Sequence, residues 1–118
     1  MSKIKLGKQE IIHFIGIGGI GMSGLAQIMK TMGFKVQGSD INKNKNTENC
    51  KKLGTKILIG QRRKNINKVT IVVKSSAIKS NNIELLEAKK KHIPIYDRIE
   101  MLANIIALKK NIIITGSH

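Results

Sequence analysis

The 118 residues make about one domain, and 41% of them are hydrophobic, enough for a core that Ile must largely fill because only two Phe and one Tyr are present. No apolar run approaches the ~20 residues that span a bilayer, and the apolar stretch behind the basic start is too short for a secretory signal, so a cytoplasmic protein with no membrane association is expected. The net charge of +15 invites a nucleic-acid partner, yet none is expected: the cations are mostly Lys, with only Arg62, Arg63 and Arg98 besides, and they are dispersed without interleaved aromatics.

Strand and helix patterns then alternate along the chain. Ile11 to Gly16 is a short apolar run ending at glycine, which predicts a buried strand. His13 within it is expected to be a satisfied core residue. Ile20, Leu25, Ile28, Met29 and Met32 recur at helical spacing until Gly33, with the Met residues as core filler. Phe34 to Asp40 alternates as a second strand, and the polar stretch after it predicts a loop and a short helix ending near Gly54.

Cys50, in that helix, is the only cysteine. It excludes an internal disulfide and a cysteine-based metal cluster, and is expected to be structural and inert. "KILIG" predicts a third strand, followed by the densest basic cluster, Gly60 to Asn65. Val69 to Ser76 is continuous enough for a central strand. "NNIELLEAKKKH" predicts a helix capped by Asn, with lysines at the end favoured by its dipole; His92 beyond it should be exposed. "IPIY" is a short strand, Asp97 should cap one more helix, and Asn111 onward reads as a further strand running into "TGSH".

This alternation implies an α/β fold, a single domain with a Rossmann-like, doubly wound parallel sheet. Within it, Gly16-x-Gly18-x-x-Gly21 stands directly between a strand and a helix, where glycines permit a tight turn and let a pyrophosphate approach backbone amides. The amides at the helix start, with its dipole, favour phosphate charge. Asp40 ends the second strand, where a carboxylate meets ribose hydroxyls. Those features alone fit an NAD-binding domain of a dehydrogenase or regulatory protein as well as a UDP-sugar-binding one. No Cys or His spacing suggests a metal.

"HFIGIGGIGMSGLA" (His13–Ala26), "GSD" (Gly38–Asp40), "SSAI" (Ser75–Ile78), "DRIEML" (Asp97–Leu102) and "ITGSH" (Ile114–His118) occur in that order. Together they resemble the N-terminal domain of the Mur ligase family over essentially the whole chain. The resemblance implies that UDP-N-acetylmuramate is bound here, with the pyrophosphate on the loop of Gly16, Gly18, Gly19, Ile20, Gly21 and Met22. Ser39 and Asp40 would meet the ribose, and Ser75, Ser76, Ala77 and Ile78 would line the uridine and sugar pocket. Residues 1–110 would form this UDP-sugar-binding domain. Residues 111–118 would be the first strand and phosphate loop of an ATP-binding central domain, which places Gly116, Ser117 and His118 at an ATP site. The resemblance further implies that ATP with Mg²⁺, and L-alanine, are held by parts outside this segment, and that the parent ligase works through an acyl phosphate. No catalytic residue and no metal ligand is expected in this piece. "NNIE" (Asn81–Glu84) stands where the family usually shows Asp-Asn-Pro-Glu.

Overall fold

The computed structural model describes residues 6–115, with side chains up to residue 110. Its elements run β1 (Ile11–Ile15), α1 (Met22–Thr31), β2 (Lys35–Asp40), α2 (Lys45–Lys52) and β3 (Lys56–Ile59). A 3₁₀ turn (Arg63–Ile66), β4 (Ile71–Lys74), α3 (Ile83–Lys90), β5 (Ile95–Asp97) and α4 (Arg98–Thr115) follow. The five strands are parallel, in the order β3-β2-β1-β4-β5. β1 is the centre and β4 is interior beside it, so the continuous apolar run read in β4 has neighbours on both edges. No described helix is long and apolar enough to cross a membrane.

The two-residue period of a strand divides the core into two unequal halves. Ile12 and Phe14 of β1 join Val36, Ile71 and Val73 under Leu25, Ala26 and Met29 of α1, Cys50 of α2 and Met101 and Ile105 of α4. On the other face Ile15 and Val72 pack with Ile66, Val69 and, from α3, Leu85 and Ala88. This second cluster is smaller, and His13, also on that face, is fully buried.

Local signals account for the helix starts. Asn44 and Thr47 form a reciprocal capping box at α2. Asn82 accepts from the amides of Glu84 and Leu85 at α3. Asp97 Oδ1 accepts from Glu100 N at 2.8 Å while Glu100 Oε1 accepts from Asp97 N at 3.0 Å, so Asp97 caps α4 as expected.

Three expectations need correction. Ile20 is 96% exposed and Ile28 lies on the outer side of α1, because the buried face is Met22, Leu25, Ala26 and Met29. Ile20 belongs to the loop, not the helix, so helical spacing does not govern it. The strand expected from Asn111 is absent: α4 continues to Thr115. A helix closes its backbone hydrogen bonds within itself, whereas a strand needs a neighbour, and none of the five strands pairs with this segment. Gly116, Ser117 and His118 lie outside the described residues. Cys50, by contrast, is buried as expected, and burial pushes its thiol pKa upward.

Gly24 offers a test of the helix that carries the loop. It is exposed in α1, and an added Cβ would meet nothing within 4 Å. Gly24→Ala is therefore expected to stabilise the protein by about 0.5–1 kcal/mol through backbone entropy. A denaturation midpoint at or below that of the wild type would contradict this.

Candidate functional site

In a parallel sheet whose chain order reverses, ligands collect at the carboxyl ends of the strands flanking the reversal. Here the reversal falls between β1 and β4. The glycine loop leaves β1 at that edge, and the Ser75–Ile78 turn leaves β4 beside it. A Cβ at Gly16 would lie 3.3 Å from Ile78 Cδ1 and 3.6 Å from Ser75 Cβ, so fold and sequence bring these two motifs together. Ser75 Oγ accepts from Ala77 N at 3.1 Å, an ordinary turn bond that leaves Ser76 and Ala77 exposed.

The loop itself is tightly specified. Gly16 and Gly21 have φ of 83° and 81°, a region that side chains disfavour. Gly38 on β2 clears space for Ile17, since a Cβ there would come within 2.5 Å of Ile17 Cδ1. Ser39 O accepts from both Gly16 N (2.9 Å) and Ile17 N (3.0 Å), and Gly19 N donates back to Gly16 O. Gly18 is held on both sides: its N–H donates to Asp40 Oδ2 at 2.8 Å, and its carbonyl accepts from the side-chain amides of Asn44 and Asn46. Met22 N donates to Gly19 O.

That leaves an uneven set of donors. Gly16, Ile17, Gly18, Gly19 and Met22 have their amides engaged within the protein. Among the described residues no bond is formed by the amides of Ile20 and Gly21, at the start of α1. An anion at this helix end finds two free N–H groups with the dipole behind them. The amides left free to meet a ligand are thus those of Ile20 and Gly21 alone in the loop, while the other, bonded amides shape it.

Asp40 stands at the rim, and Asn44 and Asn46, read from sequence only as loop polarity, prove to hold Gly18. Ser39 departs from expectation. Its side chain is fully buried and its Oγ donates to Glu84 Oε1 at 2.6 Å. Adjacent strand residues point to opposite faces, so Ser39 and Asp40 cannot both reach one ribose. Ser39 serves through its carbonyl.

Glu84 is the residue sequence reasoning missed. It is 0% exposed, and its carboxylate is surrounded by four donors. Oε1 accepts from Ser39 Oγ and from His13 Nε2 at 2.7 Å, and Oε2 from Asn65 Nδ2 at 2.7 Å and Arg62 N at 3.0 Å. The His13 tautomer follows from its partners. Gln37 Nε2 donates to the carbonyl of Asn65, which can only accept, so it is the amide nitrogen and also donates to His13 Nδ1. Nε2 then carries the proton given to Glu84. Burial pushes the Glu84 carboxyl pKa up, but the bonds from His13, Ser39 and Asn65 outweigh it and hold it below its ordinary value. The available signal was Glu84, Leu85 and Ala88 sharing the inward face of α3, an acid among apolar neighbours.

Two of the hollows beside the sheet meet motifs read from the sequence. One, of about 130 Å³, is lined by Lys74, Ser76, Asp97, Arg98 and Ile99 next to the glycine loop. The other, of about 320 Å³, lies at the β3 edge, where Lys64 and Asn65 of the basic cluster meet Gln37, Lys56 and Lys68. His92 is exposed, as expected. Among the described residues no group of three or more His, Cys, Asp or Glu side chains could hold a metal ion.

A family model described as Mur ligase family, catalytic domain, matches residues 11–110. The chain is 68% identical over 116 residues to the UDP-N-acetylmuramate–L-alanine ligase of Pelagibacter ubique (strain HTCC1062), covering 98% of this chain and 25% of that protein. It is 56% identical over 106 residues to the protein of the same name from Aquifex aeolicus (strain VF5), covering 90% and 23%. The crystal structure of UDP-N-acetylmuramate-alanine ligase from Thermotoga maritima superposes with a TM-score of 0.80 at 33% identity, over 85% of this chain and 23% of that one. The chain spans about a quarter of the length of the curated relatives it matches.

Proposed function

Because the chain belongs to the Mur ligase family, we propose that it is the UDP-N-acetylmuramate-binding N-terminal domain of a cytoplasmic ligase that adds L-alanine to that nucleotide sugar in peptidoglycan synthesis. The observation that carries this reading is the pair of free amides at Ile20 and Gly21, beside Asp40 and the Ser75–Ile78 turn, in a chain whose relatives bear that ligase name. The amides would take the diphosphate and Asp40 the ribose, with Ser76, Ala77 and Ile78 lining the nucleoside and sugar. ATP, Mg²⁺ and L-alanine would be held beyond residue 110, with Gly116, Ser117 and His118 opening the ATP site. This segment alone would bind without catalysing.

The NAD-binding alternative uses the same glycines and Asp40, but the relatives give it no support. Parallel thermal-shift and calorimetric titrations of the chain separate the two. UDP-N-acetylmuramate is expected to bind and raise the unfolding midpoint, whereas NADH is expected to do neither. Stabilisation by NADH with no response to the nucleotide sugar would overturn the proposal.

A further inference from the structure

The "DRIEML" motif contains an arginine that the site as described leaves without a role. We propose that Arg98 is the cation that binds the diphosphate of the nucleotide sugar, resting this on the ligand assigned above. The position of the side chain carries the inference. A Cβ at Gly21 would lie 3.1 Å from both Cδ and Nε of Arg98 and 3.2 Å from Cζ, so the guanidinium lies against the glycine whose amide is free. Among the described residues it forms no ion pair and no hydrogen bond. Its neighbour Asp97 is engaged in the cap with Glu100. Arg98 also lines the 130 Å³ hollow together with Lys74 and Ser76.

Charge accounting points the same way. The loop already carries a carboxylate, because Asp40 sits on Gly18 N. A diphosphate arriving at Ile20 and Gly21 meets that negative charge on one side, and Arg98 supplies a cation on the other. A planar guanidinium suits phosphate oxygens through paired N–H donors, which an ammonium does not reproduce. Among the cations of the described residues, Arg98 is the one whose side chain packs against Gly21.

Calorimetric titration of the 118-residue chain with UDP-N-acetylmuramate, UDP and uridine tests the assignment. Arg98→Ala is expected to weaken binding of both diphosphates by roughly ten- to a hundredfold, the range for a hydrogen bond to a charged group, and to leave uridine binding unchanged. Arg98→Lys should fall between. Arg98→Gln keeps most of the aliphatic stem over Gly21 and carries the same test if the alanine variant unfolds. Wild-type affinity for UDP in folded Arg98→Ala or Arg98→Gln overturns the proposal, as does an equal loss for uridine, while the function proposed above survives both results. Failure of the wild type to bind UDP-N-acetylmuramate overturns that function and this inference together.

Discussion

Glu84→Ala is expected to lower stability by about 3–5 kcal/mol, the range for removing one partner of a buried charged network. The carboxylate is wholly buried and accepts from His13, Ser39, Asn65 and the Arg62 amide. Truncation leaves these donors facing one another in a space closed to bulk water, and each unsatisfied donor costs about 1–3 kcal/mol before any rearrangement. In a domain of this size the melting temperature should fall by roughly 10 °C or more. Glu84→Gln should be intermediate, since it keeps an acceptor but turns an NH₂ toward other donors. The pH dependence has a definite sign. The folded carboxyl pKa is held below its ordinary value, so its contribution is fully present above the unfolded value of about 4.3. That contribution is lost as pH falls through the folded value. The stability gap between wild type and Glu84→Gln should therefore shrink on acidification from about pH 6 to about pH 3. A gap that stays constant over that range, or an alanine variant as stable as the wild type, would contradict the account.

Gly18→Val is expected to abolish binding of UDP-N-acetylmuramate, and Gly18→Ala to weaken it by about a hundredfold or more, the effect that a displacement of about 1 Å can have on a positioned site. The cause is not a side chain occupying phosphate space. A Cβ at Gly18 would stand 2.8 Å from Asp40 Oδ2, 2.8 Å from Asn44 Nδ2 and 2.9 Å from Thr47 Cγ2. The substitution thus breaks the contacts that fix the loop, moving the free amides of Ile20 and Gly21 and the Asp40 carboxylate together. Overpacking of this kind also costs about 1–3 kcal/mol of stability, so binding must be measured well below the unfolding midpoint. Gly24→Ala, one turn into the same helix, should bind like the wild type. A Gly18→Val protein that remains folded and retains wild-type affinity would remove the glycine loop from the site.

Much of this was legible in sequence because it is local. Each strand run, the Asn and Asp caps and the strand–glycine–helix context depend on residues within a turn or two of one another, and each strand and α-helix from β1 to β5 lies where its pattern predicts, whereas the 3₁₀ turn at Arg63–Ile66 was not foreseen. Ser39 shows a local rule overridden by a motif: the two-residue strand period already separated it from Asp40, while the family resemblance grouped the two. The Ile-rich segment after Asn111 shows the opposite limit. A short apolar run fits strand or helix, and the available neighbours decide. Glu84 and Arg98 were hidden for another reason. Residues 13, 39, 65 and 84 meet only when β1, β2, the 3₁₀ turn and α3 come together, and Arg98 reaches Gly21 only because α1 and α4 pack on the same face of the sheet. No spacing in the chain encodes either encounter.

Ser39 joins the two halves of the molecule: its carbonyl takes the Gly16 and Ile17 amides, and its hydroxyl is tied to Glu84. The bend is consequently preorganised by the interior, its shape settled before any nucleotide arrives. A ligand need not freeze a floppy segment in order to dock, and the entropic toll of recognition is reduced accordingly.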